Sequence, residues 1–201
     1  MAWATAAGLC IATTAVVGLI FYILFIVTVF HPSSQHRTSF FILAGWLGIA
    51  DCIVLVYMIV YAAPSTIMGQ NLGEIEMNGT YTDKRVNAYM GVFVNVGWFT
   101  SLPLIVFLAV NRWLCLCHKN WFNVVYSKQK TKCYILAAWI FGIAYSLPSF
   151  TDCCPIYFWY DMMSLGWSLD HSGSAALAFG ELTITILVAT ITYLCNGLVI
   201  R

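Results

Sequence analysis

The sequence has very little charge. Nine Lys or Arg and eight Asp or Glu make up 8% of its 201 residues, whereas hydrophobic residues make up 61%. Soluble domains carry about 25% charged residues, so these few charges cannot cover the surface of a water-soluble fold of this size. The composition therefore excludes an ordinary soluble protein and indicates an integral membrane protein, with the lipid bilayer as a partner.

Several chemical patterns are also absent. The eight cysteines have no zinc-ligand spacing, because CLC at 115–117 has no partner histidine pair. No GxSG nucleophile and no pair of catalytic acids occurs, and no repeat, linker or low-complexity tract divides the chain. We therefore expect one domain over 1–201, no metal, no cofactor, no nucleic-acid partner and no enzyme activity.

Long apolar runs are what the sequence does contain. A transmembrane helix needs about 20 apolar residues, and five runs satisfy that length. They lack the alternating pattern of a membrane barrel, which favours helices over strands. The first run is too long, and too poor in basic residues at its start, for a cleavable signal peptide. The sequence predicts an all-α bundle of five transmembrane helices, at about 6–30, 39–63, 86–111, 133–150 and 174–200.

Basic residues lie almost entirely on one side of the predicted bundle. When the loops are sorted by side, seven of the nine Lys and Arg fall on one side, which carries no acid. Basic loop residues mark the cytoplasm, so we expect the N-terminus outside. The sequon Asn78-Gly79-Thr80 falls in a loop assigned to the outside, where glycosylation takes place. The seven basic residues are Arg37, Arg112, Lys119, Lys128, Lys130, Lys132 and Arg201.

The third run closes with Asn111-Arg112-Trp113, followed by LCLCH. An arginine there has a simple explanation, since a long basic side chain anchors a helix end at the headgroups. The stretch also resembles the end of the third helix in rhodopsin-like seven-helix receptors, which couple to heterotrimeric G proteins. Those receptors carry an acid or Asn, then Arg, then an aromatic residue. The resemblance implies that Asn111, Arg112 and Trp113 form a G-protein coupling motif.

Other stretches match that family in the same order. LGIADCIVL at 47–55 resembles the second-helix pattern that contains a buried aspartate, here Asp51. Ser101 matches the polar position of the third helix that faces it, and Trp139, Pro148 and Tyr193 match positions of the fourth and fifth helices. Within that family, the chain resembles nematode chemosensory serpentine receptors of class x. NRW is typical there, as is a loop before the fifth helix like CCPIYFWYDMMSLGWSL at 153–169.

The resemblance implies roles for several of these residues. The arginine turns toward the G protein on activation, and Asn111 cannot form the ion pair that Asp or Glu would form with it. We therefore expect a looser resting state than in acid-bearing relatives. Asp51 and Ser101 correspond to a buried polar switch. The alternative for Asp51 is a protonated carboxyl group hydrogen-bonded to a neighbouring helix.

Three residues are candidates for a ligand pocket in the outer half of the bundle. Glu181 is the only other acid within a predicted helix, and it lies about two turns below the outer end of the fifth. Asn95 and Trp98 lie in the outer half of the third helix. Each has a structural alternative, such as a protonated or interfacial acid for Glu181. Val94 replaces the aspartate of amine receptors, which argues against an amine ligand bound in that manner.

The cysteine pattern departs from the family. Such receptors usually tie the loop before the fifth helix to a cysteine at the outer start of the third. No cysteine occurs between Cys52 and Cys115, so that bridge cannot form here. Cys153 and Cys154 lie in the loop, and pairing of one of them with Cys10 is an open alternative.

The resemblance stops after the fifth helix. Counterparts of the sixth and seventh helices are absent, as are the usual first-helix asparagine, where Leu19 stands, and the fifth-helix proline. We therefore expect a fragment, a truncated isoform or a decayed gene product of a receptor for a small chemical cue, unable to activate a G protein alone. It would reach the plasma membrane if full-length and be retained in the ER if truncated. The main rival is a five-helix transporter or channel subunit, for which broken helices or half-repeats would be expected.

Overall fold

The protein is described here by a computed structural model. The structure describes residues 2–31, 38–69, 75–77, 81–83, 85–151, 153–159, 164–168 and 172–200. Within these ranges, five helices are long and apolar enough to cross a membrane. The prediction of an all-α bundle of five transmembrane helices is confirmed.

Seven α-helices and four short strands make up the described structure. The helices are α1 (Ala2–Phe30), α2 (Ser39–Tyr57), α3 (Ala63–Met68), α4 (Arg85–Cys117), α5 (Lys119–Val125), α6 (Lys128–Ser146) and α7 (Ser172–Ile200). The second transmembrane helix combines α2, a π-helical turn at Met58–Ala62, and α3. The fourth combines α6 with a 3-10 turn at Leu147–Phe150.

The helices differ from the predicted segments mainly at their ends. The segment predicted to end at 111 continues to Cys117, because nothing between Arg112 and Cys117 breaks a helix. The segment predicted to begin at 133 starts at Lys128, where the Ser127 hydroxyl accepts a hydrogen bond from the Lys130 backbone N–H. Hydropathy misses both ends because Arg112 interrupts the apolar run of α4 and because the first turn of α6 is rich in lysine.

The π turn at Met58–Ala62 precedes Pro64. Proline has no backbone N–H, so the regular i to i−4 hydrogen bond cannot form at that point, and a wider turn accommodates the gap. The turn places Tyr57 and Tyr61 on the buried side, where each is 1% exposed.

The helix α4 is the centre of the bundle, with α2, α6 and α7 packed around it. Two glycines allow the close approach. A Cβ at Gly97 would lie 2.8 Å from the Ala50 carbonyl oxygen of α2, and one at Gly142 of α6 would lie 2.8 Å from the Thr100 backbone nitrogen of α4. Small residues at helix crossings allow membrane helices to pack closely.

Two antiparallel hairpins lie at the same end of the bundle. One consists of β1 (Ile75–Met77) and β2 (Tyr81–Asp83), and the other of β3 (Ile156–Trp159) and β4 (Ser164–Trp167), in which Phe158 is opposite Leu165. We call this the hairpin end of the bundle. The opposite end, which carries Arg112 and α5, is the Arg112 end.

Candidate functional site

The Arg112 end contains the predicted coupling motif. Asn111 is 1% exposed, and its Nδ2 atom donates a 2.9 Å hydrogen bond to the hydroxyl of Ser39 at the start of α2. The next residue, Arg112, is exposed. Its guanidinium has no hydrogen bond or ion pair with any described residue. The asparagine thus joins α4 to α2, while the arginine faces outward.

The loop after α4 is held against the bundle by a residue that the sequence did not single out. The Tyr126 hydroxyl donates a 2.8 Å hydrogen bond to the Phe107 carbonyl oxygen of α4, and the Tyr126 ring is buried. Burial raises the pKa of Tyr126 above its ordinary value, so the phenol stays protonated and able to donate. Trp121 of α5, by contrast, is 66% exposed.

Trp113 completes the motif. Its ring is half-buried and lies edge-on to His118, with 5.1 Å between the ring centroids. His118 separates α4 from α5, so the contact lies at the bend between these helices. The motif therefore has one buried member, one exposed member and one member packed at the bend.

Asp51 and Ser101 have other partners in the structure. Tyr22 of α1 lies beside the Asp51 carboxyl group. The Ser101 hydroxyl donates a 2.8 Å hydrogen bond to the Trp98 carbonyl oxygen within α4. The alternative, a protonated Asp51 carboxyl group hydrogen-bonded to a neighbouring helix, stays a prediction. A switch formed by Asp51 and Ser101 stays a prediction.

At the hairpin end, Asn87 binds strand β3 at the start of α4. Its Nδ2 atom donates to the Phe158 carbonyl oxygen at 3.1 Å, and its Oδ1 atom accepts from the Phe158 backbone N–H at 2.8 Å. Both residues are buried. The side-chain amide thus pairs with the free edge of β3 in the way a neighbouring strand would. It ties the hairpin to the helix at the place where resembling receptors use a disulfide.

The packing below this hydrogen-bonded pair is close. A Cβ at Gly91, one turn further along α4, would lie 2.7 Å from the Ile156 carbonyl oxygen, so strand β3 lies directly on the helix. On the other side, the Phe158 ring packs edge-on against Tyr57 and Tyr61, with centroids 6.4 and 6.3 Å away. Val94 is buried in the same cluster. The position that amine receptors fill with an aspartate is therefore part of an aromatic and aliphatic wall.

Glu181 lies beside the second strand of this hairpin. Its Oε2 atom accepts a 2.7 Å hydrogen bond from the Trp167 indole N–H, and the carboxylate is half-buried. One turn earlier in α7, the Leu177 carbonyl oxygen accepts a 2.8 Å hydrogen bond from the Tyr145 hydroxyl of α6. These two bonds attach α7 to the β4 strand and to α6.

The other two predicted pocket residues face different surroundings. Asn95 is 2% exposed, and its Nδ2 atom has no hydrogen-bond partner within the part of the chain described. Trp98 is 40% exposed on another face of α4. The described contacts do not bring Asn95, Trp98 and Glu181 together, so a pocket formed by all three stays a prediction. Asn78 lies outside the described residues.

An apolar groove of about 650 Å³ opens at the Arg112 end, away from the predicted pocket. It lies between the ends of α1, α2 and α6, with two tryptophans, Trp46 and Trp139, and two lysines, Lys128 and Lys132, among its lining residues. Lysines beside an apolar surface are usual where a helix meets the headgroup region. The groove thus has the chemistry of a lipid-facing surface.

Known proteins resemble this chain both in sequence and in fold. Residues 13–201 match the profile of the family described as serpentine type 7TM GPCR chemoreceptor Srx. The chain is 27% identical over 137 residues to the mouse (Mus musculus) melatonin receptor type 1A, covering 68% of this chain and 36% of that receptor. Its fold is similar to the crystal structure of squid rhodopsin, with a TM-score of 0.79 at 11% identity.

The chain spans only part of these proteins. The alignment with squid rhodopsin covers 99% of this chain and 52% of the rhodopsin chain. The match to the melatonin receptor covers 36% of that receptor. The similarity to rhodopsin is one of fold alone. The matched family and fold are those of membrane receptors rather than of enzymes, and they do not favour a transporter or channel subunit.

Proposed function

Because the chain belongs to the Srx family of serpentine seven-transmembrane chemoreceptors, we propose that it binds a small chemical ligand at its hairpin end and engages a heterotrimeric G protein at its Arg112 end. The observation that carries this proposal is the family match over 13–201, combined with an exposed arginine at the motif position.

The state of Arg112 supports the coupling half of the proposal. Arginine stays charged at all physiological pH values and presents five donors in a planar fork, which suits it to bind carbonyl and carboxylate oxygens of a partner. Asn111 uses its donor on Ser39 and carries no charge, so it does not neutralise the guanidinium. The arginine is thus available to a docking protein without first breaking an ion pair to its neighbour.

Two features of the hairpin end support the ligand half. Glu181 is a half-buried carboxylate whose Oε2 atom is bound by Trp167, so its other oxygen can accept from a ligand. Asn95 carries a buried amide donor without a partner among the described residues. Buried polar atoms of this kind are costly unless something satisfies them. We infer a small ligand with hydrogen-bonding groups, rather than an amine held at the position of Val94.

The coupling half is tested by guanine-nucleotide exchange. The assay uses membranes that contain a receptor with residues 1–201 as its first five helices. Purified heterotrimeric G proteins are added to these membranes. Arg112→Ala is expected to abolish exchange, because it removes the only charged side chain of the Asn111-Arg112-Trp113 motif. Lys119→Ala is the control, since it removes an exposed positive charge from the same end. Exchange that is unchanged by Arg112→Ala would count against the proposed coupling surface.

The ligand half is tested by thermal shift of the purified protein with a panel of small hydrogen-bonding compounds. A compound that raises the melting midpoint should do so less in Glu181→Gln, and much less in Glu181→Ala, which removes both carboxylate oxygens. Glu74→Ala is a charge control, because this acid lies between α3 and α4 in the sequence. Shifts that survive Glu181→Ala would place the ligand elsewhere.

We further propose that the N-terminus and both hairpins face outward at the plasma membrane. The excess of basic residues at the Arg112 end supports this orientation. Treatment with an endoglycosidase is expected to increase the gel mobility of the protein, and Asn78→Gln is expected to remove that change. A membrane-impermeant thiol reagent that labels Cys115 in intact cells would indicate the opposite orientation.

A further inference from the structure

We infer that Cys153 and Cys154 form a disulfide with each other, a ring closed between adjacent residues at the hairpin end of the bundle. Both residues lie between the 3-10 turn at Leu147–Phe150 and strand β3. Their Sγ atoms are 2.6 Å apart in the dithiol form that the structure records. The two sulfur atoms are thus already side by side, and oxidation needs only a small further approach.

The backbone around the pair is held on both sides. Before it, the Thr151 N–H donates to the Pro148 carbonyl oxygen, and the Cys154 N–H donates to the Thr151 carbonyl oxygen at 3.3 Å. After it, the Pro155 carbonyl oxygen accepts from the Ser168 N–H at 3.1 Å. These hydrogen bonds hold the backbone on both sides of the cysteine pair.

Both sulfur atoms also lie against the first turn of α7. A Cβ at Gly173 would be 2.5 Å from the Cys154 Sγ and 3.3 Å from the Cys153 Sγ. Cys154 is 4% exposed and packs with Phe99 and Ile156, whereas Cys153 is exposed. One sulfur is thus accessible to an oxidant, while the other is fixed beside it.

Other uses of the pair have less support. The remaining cysteines are on α1, α2, α4, α6 and α7, and the structure places neither thiol of the pair against one of them. A metal ion needs further ligands. No group of three His, Cys, Asp or Glu that could hold one occurs among the residues the structure describes.

The oxidation is a thiol–disulfide exchange with a disulfide of the secretory compartment, either glutathione disulfide or that of a protein oxidant. The Cys153 sulfur, as thiolate, attacks one sulfur of the oxidant, and a first thiol leaves. The Cys154 thiol loses its proton to solvent and its sulfur attacks Cys153, releasing the second thiol. Two thiols of the chain are oxidised by two electrons, and one disulfide is reduced to two thiols.

The environment favours this order of attack. Hydrogen bonds from Cys154 and then Thr151 lower the pKa of Cys153, which increases its thiolate fraction near neutral pH. The same hydrogen bond, with burial, raises the pKa of Cys154 to about 11. The exposed cysteine is therefore the first nucleophile, and the buried one resolves the mixed disulfide.

Adjacent cysteines have Cα atoms only about 3.8 Å apart, below the roughly 4.4–6.8 Å usual for disulfides. Such a bond is more easily reduced than an ordinary structural disulfide. The proposed ring is thus a redox-labile modification. It lies against the first turn of α7, next to the hairpin that Asn87 ties to α4.

The first experiment uses the purified chain of residues 1–201 and does not depend on membrane orientation. The protein is reduced, then incubated with glutathione disulfide, denatured, and treated with N-ethylmaleimide. Chymotrypsin releases the peptide 151–157, TDCCPIY, which contains only these two cysteines. We expect this peptide to be unlabelled and lighter than the dithiol by two hydrogens, and to take two labels after renewed reduction. Two labels without renewed reduction, stable glutathione adducts, or a cross-link to another peptide would overturn the proposal.

Two controls make the result specific. Cys154→Ser leaves Cys153 without its partner, so the peptide should carry glutathione or one maleimide label instead of the ring. Cys115 and Cys117 are exposed at the opposite end, and neither should form a disulfide with the Cys153–Cys154 peptide. The same peptide from unreduced cells then reports the natural state. Two labels there, with the ring formed in vitro, would contradict oxidation in cells and point to a cytosolic hairpin end.

Discussion

Removal of the Asn87 amide tests how the hairpin is held on the bundle. In Asn87→Ala, the N–H and carbonyl oxygen of Phe158 both lose their partners, although Phe158 is only 2% exposed. Leaving a buried polar group unsatisfied costs about 1–3 kcal/mol. Two such groups suggest a loss of about 3 kcal/mol in the free energy of unfolding, after partial relaxation of the strand.

A loss of that size is measurable. For a chain of 150–250 residues, 1 kcal/mol corresponds to roughly 2–4 °C in the melting midpoint, so a decrease of roughly 6–12 °C is expected. The midpoint is followed by tryptophan fluorescence of the protein in nanodiscs. A local readout is the rate of chymotrypsin cleavage at Tyr157 and Phe158, which should increase because the hairpin detaches more often.

Two further variants separate hydrogen bonding from packing. Asn87→Leu has a similarly branched side chain but no polar atoms, so it should lose stability as Asn87→Ala does. Asn123→Ala removes an exposed asparagine on α5 and should leave both the midpoint and the cleavage rate unchanged. If Asn87→Leu and Asn87→Ala keep the midpoint and cleavage rate of the natural protein, the amide does not hold the hairpin and the reasoning is refuted.

Three other perturbations follow from the geometry. Trp167→Phe removes the 2.7 Å hydrogen bond to Glu181; a melting midpoint lowered by a few degrees is expected, and an unchanged one would argue against the bond. Gly142→Leu should destabilise the protein by about 1–3 kcal/mol or more, because a Cβ there meets α4; normal expression and melting would contradict the crossing. Asn111→Ala and Ser39→Ala should each destabilise the Arg112 end, and the double variant should cost less than the sum, because they share one bond. Additive losses in denaturant unfolding would mean that the two residues act separately.

The bundle itself could be predicted from the sequence because membrane spans depend on a simple quantity. A run of about 20 apolar residues satisfies its backbone hydrogen bonds as a helix, whatever its neighbours are. The ends of α4 and α6 were predicted less well. Arg112 interrupts the apolar run five residues before the end of α4, and Lys128 and Lys130 lie in the first turn of α6, so hydropathy falls where the helices continue.

The partners of the polar residues could not be predicted in the same way. Asp51 and Glu181 were recognised as membrane acids, but the sequence did not indicate that Tyr22 lies beside Asp51 or that Trp167 donates to Glu181. Such pairings depend on helix rotation and hairpin position, which local patterns do not encode. The sequence alone thus marks a costly polar group and leaves its partner open.

The Asn87 contact shows what sequence reasoning missed at the hairpin end. The absence of a cysteine between Cys52 and Cys115 showed that the usual bridge is missing. Asparagine is common and has no spacing rule that would mark it as a tether to Phe158. The run IYFWY at 156–160 was a partial signal, since its first four residues form a strand in which buried and half-buried residues alternate.

The most direct test of the account asks whether a G protein docks at the Arg112 end. A variant with Cys115 as its only exposed cysteine carries a thiol-linked photo-crosslinker one turn after Arg112, and a matched variant carries it at Cys10 in α1. With nucleotide-free heterotrimeric G protein in nanodiscs, we expect the Cys115 probe to cross-link the Gα subunit and a non-hydrolysable GTP analogue to suppress that product. A Gα cross-link from Cys10 instead, or a Cys115 product that neither the GTP analogue nor Arg112→Ala reduces, would contradict the proposed coupling surface.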